Sequence, residues 1–173
     1  MIIVSGASRG LGKAIFNDLA SKNEKVIGLS KSLPTKKNII QCDVSSLDSV
    51  KNCAAQLKKI SNKAYAFINA AGVASMNLAL ATPEETIRKI IDINLLGTIF
   101  TSQMFTPLLI RNGCGRIINF STIAVKLGIK GESVYTASKA GVEAYSRTLA
   151  RELSGFKITV NCISPGPIKT DLT

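Results

Sequence analysis

The sequence contains no histidine. This absence excludes imidazole, the commonest acid–base group near neutral pH, and a zinc site of the usual Cys/His spacing. The cysteines are far apart and form no C-x-x-C pair: Cys42, Cys53, Cys114 and Cys162. We therefore expect no metal site, and free thiols in a reducing compartment. No secretory segment precedes the first apolar stretch, because Met1 runs directly into it, so the expected location is cytoplasmic.

Acidic residues are scarce, with 11 Asp and Glu against 22 Lys and Arg and a formal net charge of +11. A basic surplus is typical of nucleic-acid-binding proteins. Here, however, the basic residues stand singly or in pairs such as Lys58-Lys59, never in a block with interleaved aromatics. We expect no specific nucleic-acid site. The charge indicates a soluble basic surface or attraction for an anionic cofactor or substrate.

Two long stretches, 64–82 and 93–110, carry no charge and have the length of a membrane span. Both are interrupted by amides, glycines or a proline, so we interpret them as buried soluble structure and expect no membrane span. With 173 residues, 46% of them apolar, the chain can build a substantial core. The expected organisation is one domain, 1–173.

Short apolar runs alternate with helical patterns. Strands are predicted at 2–5, 25–30, 38–42, 64–69, 116–120 and 157–163, and helices at 10–23, 47–60, 83 to about 111, and 133–153. Uniformly apolar strands that alternate with helices are typical of an α/β fold with a parallel sheet and helices on both faces. The connection 31–37 is too short for a crossover helix, so we expect an extended loop there.

A glycine-rich turn follows the first strand, Ser5-Gly-Ala-Ser-Arg-Gly-Leu-Gly12. Its glycines permit a tight turn and a close approach of the backbone to phosphates, which the N-terminus of the next helix then faces. Glycines here could merely mark a turn, but their place between a strand and a helix favours dinucleotide binding. The spacing is G-x-x-x-G-x-G rather than the ordinary G-x-G-x-x-G.

A tyrosine and a lysine, Tyr135 and Lys139, are spaced to share one helix face. A cation beside a phenol lowers the phenol pKa from its usual value of about 10. In a chain without histidine, such a tyrosine is the natural candidate for proton transfer. The alternative is ordinary packing plus a solvated charge.

Four motifs in order resemble the short-chain dehydrogenase/reductase family: the glycine-rich turn, Asn69-Ala-Ala-Gly72, Tyr135-x-x-x-Lys139 and Pro165-Gly166. The resemblance covers essentially the whole chain. Further details, such as Gly115-Arg-Ile-Ile-Asn119, resemble the branch of 3-oxoacyl-carrier-protein reductases and carbonyl reductases. The family resemblance implies a Rossmann-type doubly wound sheet and an NADP-dependent oxidoreductase that reduces a ketone. A carrier-protein-bound 3-oxoacyl thioester is one candidate substrate. The alternative is a catalytically silent dinucleotide-binding or regulatory protein of the same fold.

The resemblance also implies catalytic roles. Tyr135 would donate the proton to a carbonyl oxygen, and Lys139 would hold the nicotinamide ribose and lower the pKa of the tyrosine. Asn94 would fix a helix kink and a water of the proton relay, although a local backbone bond of its amide would also explain a break. Thr122 stands where the family usually has a substrate-binding serine, and its hydroxyl can donate the same hydrogen bond. Ser121 is the alternative if the strand end is shifted.

The cofactor prediction rests on the end of the second strand. An NAD site favours an acidic residue there, but Ser30 and Lys31 bring no carboxylate. Arg9 and Lys31 could instead pair with a 2′-phosphate, unless they are solvated surface charges, so we predict NADP(H). The resemblance places Asp43 and Val44 at the adenine, Ala71 and Gly72 at the adenosine ribose, and Ile168 and Thr170 around the nicotinamide. The full cofactor-binding set is Gly6, Ser8, Arg9, Gly10, Leu11, Gly12, Ser30, Lys31, Asp43, Val44, Asn69, Ala70, Ala71, Gly72, Tyr135, Lys139, Pro165, Gly166, Ile168 and Thr170.

Two further expectations concern the C-terminal end of the chain and its oligomeric state. The family continues beyond the Pro-Gly motif into a substrate-covering helix pair and a last strand, which a chain that stops at Thr173 is expected to lack. The expectation is a truncated chain; the alternative is a protein that works without these pieces. The helix from Pro83 is apolar nearly all round. We therefore expect a homodimer or homotetramer through the helices 83–111 and 133–153. The alternative is burial of this face within one chain.

Overall fold

The structure is a computed structural model that describes residues 1–32 and 37–168. Within these ranges, six parallel strands form one sheet in the order β3-β2-β1-β4-β5-β6. The strands are β1 Ile2–Ser5, β2 Val26–Ser30, β3 Ile39–Gln41, β4 Ala66–Asn69, β5 Gly115–Phe120 and β6 Ile158–Ile163. The strand order reverses between β1 and β4, as in a Rossmann-type doubly wound sheet. The predicted fold class is confirmed.

Helices cover both faces of the sheet. They are α1 Gly10–Ser21, α2 Leu47–Ile60, α3 Glu84–Ile91, α4 Gly97–Asn112, the short α5 Ala124–Leu127, and α6 Ser133–Leu153. Two 3₁₀ turns, Ala79–Ala81 and Ser154–Phe156, lie between these elements, and a π-helical segment, Asp92–Leu96, joins α3 to α4. The predicted bounds of α2 and α6 agree with the structure, whereas α1 ends two residues before the predicted 23. The expected loop at 31–37 falls partly outside the described residues, at 33–36.

Alternation along the buried strand β1 explains the two-sided core. Ile3 points into the larger cluster, which includes Phe67 of β4 and Phe105 of α4. Ile2 and Val4 point to the opposite face, where they pack with α1. The Phe67 and Phe105 rings meet edge-on with centroids 5.1 Å apart. Because successive strand residues face opposite sides, a strand buried on both faces must be apolar throughout.

One continuous helical segment among the described residues, Glu84–Asn112, is long and apolar enough to cross a membrane by length and composition. Half of its most apolar window is buried inside the protein, and core helices of soluble proteins pass the same test. The segment is therefore weak evidence for a membrane span, and the absence of one stays a prediction.

Candidate active site

A cleft of about 360 Å³ opens at the carboxyl ends of the strands. It is lined by the loop after each strand, with Gly6 after β1, Ala70 after β4, Thr122 after β5 and Pro165 after β6. In doubly wound sheets, ligands bind at this edge, where the strand order reverses. The topology alone therefore brings the widely spaced sequence motifs to one place.

The glycine-rich turn forms one wall of the cleft. Gly6 has φ +70° and approaches the next loop so closely that a Cβ would lie 2.9 Å from the Ala70 carbonyl oxygen. A Cβ on Gly12 would lie 2.4 Å from the carbonyl oxygen of Gly6. The α1 N-cap, Arg9, makes no side-chain cap hydrogen bond, and the first turn of α1 holds no acidic residue. The N-terminal N–H groups of α1 are thus suited to an anionic ligand such as a diphosphate.

The opposite wall is held in place by a buried hydrogen-bond chain. The Ser5 hydroxyl donates to Asn69 Oδ1 at 2.9 Å and accepts from the backbone N–H of Ala71 at 3.1 Å. This chain fixes the segment 70–72 against the glycine-rich turn. The Ser30 hydroxyl, on the cleft wall, is buried without a hydrogen-bond partner within the described residues. A buried polar atom without a partner and a cradle that only glycine permits both fit a bound dinucleotide.

At the end of β2, the Lys31 Nζ lies 2.7 Å from Oδ2 of Asp43. Ser45 also donates to this carboxylate, from its hydroxyl at 2.6 Å and its backbone N–H at 3.1 Å. Burial raises the pKa of Asp43, but the hydrogen bonds from Lys31 and Ser45 outweigh it and hold the pKa below its usual value. Sequence reasoning missed this pair. A 2′-phosphate at Lys31 must therefore displace Asp43 from the ammonium or share the ammonium with it. Arg9 also lies on the cleft wall and forms no ion pair among the described residues.

Tyr135 and Lys139 both line the cleft from α6, as their spacing predicted. Lys139 is only 6% exposed, and its ammonium donates to the carbonyl oxygen of Phe120 at 2.8 Å. Burial lowers the Lys139 pKa to about 8, with a small opposing effect from the nearby Cys162 thiol. Such a group remains mostly protonated at neutral pH but can release its proton close to it.

The expected lowering of the Tyr135 pKa is not found. Burial raises this pKa, and the negative charge of Glu132 raises it further, while the nearby Thr122 hydroxyl opposes them. The expectation was wrong because the half-buried phenol loses more from desolvation than it gains from neighbours, and because Lys139 directs its ammonium to the Phe120 carbonyl.

The choice between Thr122 and Ser121 is decided by what each side chain contacts. Both residues line the cleft. The Thr122 hydroxyl lies close enough to Tyr135 to lower the pKa of the phenol, and its oxygen accepts from the Ala124 N–H at 3.2 Å. Ser121 is 3% exposed, and its hydroxyl donates to Glu143 Oε1 at 2.6 Å. The contacts therefore favour Thr122, as predicted, as the residue that could reach a substrate oxygen. Glu143 was missed, although its spacing of eight from Tyr135 placed it on the same helix face.

Asn94 lies in the π-helical segment between α3 and α4 and is fully buried. Its amide is bonded in both directions to Val73, accepting from the N–H and donating to the carbonyl oxygen, each at 2.9 Å. It also donates to the Ser138 hydroxyl at 3.0 Å. The helix is π-helical rather than regular at Asn94, but the amide bonds are not local. Asn94 instead ties this π-helical segment to the loop after β4 and to α6.

Further predicted residues line the cleft, namely Ser8, Gly10, Leu11, Val44, Gly72, Gly166 and Ile168, whereas Gly12, Asn69 and Asn94 do not belong to its lining. A Cβ on Gly72 would lie 3.4 Å from Asn94 Oδ1 and 3.6 Å from Lys139 Nζ. The Gly72 backbone therefore lies beside both groups. Thr170 lies outside the described residues.

Comparison with known proteins agrees with this geometry. The family model described as short chain dehydrogenase matches residues 1–173. Carbonyl reductase family member 4 of Xenopus tropicalis is 34% identical over 179 residues, covering 98% of this chain and 76% of that protein. The 3-oxoacyl-[acyl-carrier-protein] reductase FabG of Salmonella typhimurium is 32% identical over 181 residues, covering 99% and 74%. Ligand-free aldohexose dehydrogenase of Thermoplasma acidophilum superposes with a TM-score of 0.93 at 31% identity, covering 99% of this chain and 68% of that chain.

Proposed function

This chain belongs to the short-chain dehydrogenase family, and from that premise we propose that it reduces a ketone to an alcohol with NADP(H) as cofactor. The observation that carries the proposal is the meeting of Tyr135, Thr122 and Lys139 in the cleft beside the glycine-rich turn. The relatives support a ketone as substrate, because their names include a carbonyl reductase and a 3-oxoacyl reductase.

In the proposed reaction, the hydroxyl of Thr122 donates a hydrogen bond to the carbonyl oxygen and holds it beside the phenol. Tyr135 gives its proton to that oxygen, and the resulting phenolate regains a proton through Lys139. The glycine-rich turn, Ala71 and Gly72 would hold a nicotinamide dinucleotide, which supplies the hydride. One hydride and one proton convert the ketone to the alcohol.

The raised pKa of Tyr135 suits this direction, because the phenol remains protonated and ready to donate at neutral pH. Alcohol oxidation needs the phenolate as base, so its rate should rise with pH. The ammonium of Lys139, with a pKa of about 8, can return a proton to the phenolate near neutral pH.

NADP(H) is the proposed cofactor because no acidic residue ends β2 and because Arg9 and Lys31 line the cleft. Asp43 opposes this preference, since its carboxylate already binds Lys31. The two cofactors should be compared by their KM values with one substrate. A clear preference for NADH would overturn this part of the proposal.

A carrier-protein-bound 3-oxoacyl thioester is the candidate substrate that the name of one relative and the net charge of +11 both favour. We also propose a homodimer or homotetramer through the α3–α4 segment and α6, where Ile87 and Ile110 remain more than one third exposed. Sedimentation at micromolar concentration tests the assembly, and a monomer would refute it.

The proposed function is tested by following NADPH oxidation across classes of ketones, with the chain and with any longer native form. Turnover that requires the tyrosine supports the proposal. Tight nucleotide binding without turnover of any ketone by either form would favour the silent dinucleotide-binding alternative.

A further inference from the structure

The Lys31 ammonium is held by a carboxylate at the end of the cleft where a 2′-phosphate is expected. Its Nζ lies 2.7 Å from Oδ2 of Asp43, and both residues line the cleft. The pair bridges two neighbouring strands, because Lys31 directly follows β2 and Asp43 comes two residues after β3. The cation that would attract a 2′-phosphate therefore has an anionic partner within the protein itself.

The carboxylate of Asp43 is fixed on its other side as well. The Ser45 hydroxyl and the Ser45 N–H donate to Oδ1 at 2.6 and 3.1 Å. The Asp43 N–H donates to the Ser49 hydroxyl at 2.9 Å, which attaches this backbone to α2. The Lys31 side chain is 71% exposed, against 28% for Asp43. The lysine is therefore the movable partner, and the carboxylate keeps its place.

The charge of Asp43 acts on only one of the two nicotinamide dinucleotides. Burial raises the pKa of Asp43, but the hydrogen bonds from Lys31 and Ser45 outweigh it and hold the pKa below its usual value, so the group is ionised at neutral pH. A 2′-phosphate carries about two negative charges. It must compete with the carboxylate for Lys31 and is also repelled by it. NADH has a hydroxyl at this position and meets neither effect.

We propose that Asp43 is a specificity-determining residue, which limits the preference of the cleft for NADPH over NADH by holding the Lys31 ammonium. An acidic residue at the end of β2 is the usual feature of an NAD site. Here β2 ends without one, and the segment after β3 brings a carboxylate to the same place. The inference rests on the proposed binding of nicotinamide dinucleotides, but it does not depend on the turnover of a ketone.

The test is the ratio of the Kd for NADH to the Kd for NADPH, measured by fluorescence titration. Asp43→Asn keeps the shape of the side chain and an oxygen that can accept from Ser45, but its Nδ2 cannot accept from Lys31. The ratio should rise about three- to fivefold, which is the upper range for an ion pair with an exposed partner. Any contact of Asp43 with the adenine cancels, because both nucleotides carry the adenine.

Two comparisons show whether the gain comes from Lys31. Glu85 and Lys31 border one hollow of about 600 Å³ and form no ion pair with each other in the described part of the chain. Glu85→Gln therefore removes the same charge from the same neighbourhood, and its ratio should stay near wild type. Adding Lys31→Ala to Asp43→Asn should abolish the gain, since no ammonium remains to bind the phosphate. If Asp43→Asn fails to fold, Asp43→Ser, which also lacks the charge, takes its place.

The inference is overturned if the folded Asp43 variant keeps the wild-type ratio, if Glu85→Gln raises the ratio equally, or if the gain persists without Lys31. A protein that binds neither nucleotide would overturn both this inference and the proposed cofactor. A wild type that binds both nucleotides and reduces no ketone refutes the proposed reductase function alone, because the affinity ratios still test the role of Asp43.

Discussion

The buried ammonium of Lys139 makes a prediction that requires neither substrate nor cofactor. Burial lowers the pKa of this group from 10.5 to about 8 in the folded protein. Between these two pH values, the unfolded chain binds a proton that the folded protein has released, so the free energy of unfolding rises with pH. Below pH 8 both states are protonated, and the group adds no pH dependence.

The size of the effect follows from the same two values. A pKa difference of this size corresponds to about 3 kcal/mol over the full range from pH 8 to 10.5. Lys139→Met keeps an unbranched side chain and removes the titration. The hydrogen bond to Phe120 is also lost, but that loss shifts the stability of the variant by the same amount at each pH and cancels in the comparison of slopes.

The assay is urea unfolding of the wild type and Lys139→Met at pH 7, 8, 9 and 10. We expect the free energy of unfolding of the wild type, relative to the variant, to rise by about 2 kcal/mol or more from pH 7 to 10. The Cys162 thiol faces Lys139, and its ionisation would favour the ammonium and flatten the rise, so the pair is also measured with Cys162→Ser. A difference that stays constant with pH in both backgrounds would refute the reasoning.

Three further predictions concern the cleft. Lys31→Ala should raise the Kd for NADPH by about tenfold and leave that for NADH nearly unchanged, by fluorescence titration; an equal loss for both would show that Lys31 does not read the 2′-phosphate. Thr122→Ser should keep most of kcat/KM with a ketone, and Thr122→Val should lose about tenfold or more because no hydroxyl remains to hold the substrate oxygen; equal rates for both variants would contradict this role. Gly12→Ala should abolish nucleotide binding or destabilise the fold, since its Cβ would lie 2.4 Å from the Gly6 carbonyl oxygen. The control is Gly155→Ala, whose Cβ meets nothing within 4 Å. Equal thermal stability and equal nucleotide affinity in the two variants would contradict the role of Gly12 in a nucleotide cradle.

The fold was predictable because its signals are local. The apolar strands and the amphipathic α2 follow from residue periodicity, and the Ser46 hydroxyl accepts from the Ser49 N–H at the start of α2 as a capping residue should. The parallel sheet then follows from the alternation of strands and helices. Because each motif follows a strand of this parallel sheet, all of the motifs lie at the carboxyl edge of the sheet.

The electrostatics of the site could not be read from the sequence, because they depend on contacts between distant segments. The spacing of Tyr135 and Lys139 predicts a shared helix face but not that the ammonium bonds to the Phe120 carbonyl. Likewise, Lys31 and Asp43 meet only because β2 and β3 are neighbours in the sheet. Desolvation, which dominates the pKa of Tyr135, is a property of the finished fold.

The central claim is that the Tyr135 phenol is the proton donor of a nicotinamide-dependent carbonyl reduction. Its most direct test compares Tyr135→Phe with the wild type under saturating NADPH and a ketone that the wild type reduces. The account predicts a fall in kcat of about 10²–10⁴-fold with the NADPH Kd unchanged. A Tyr135→Phe variant that reduces the ketone at the wild-type rate would contradict it.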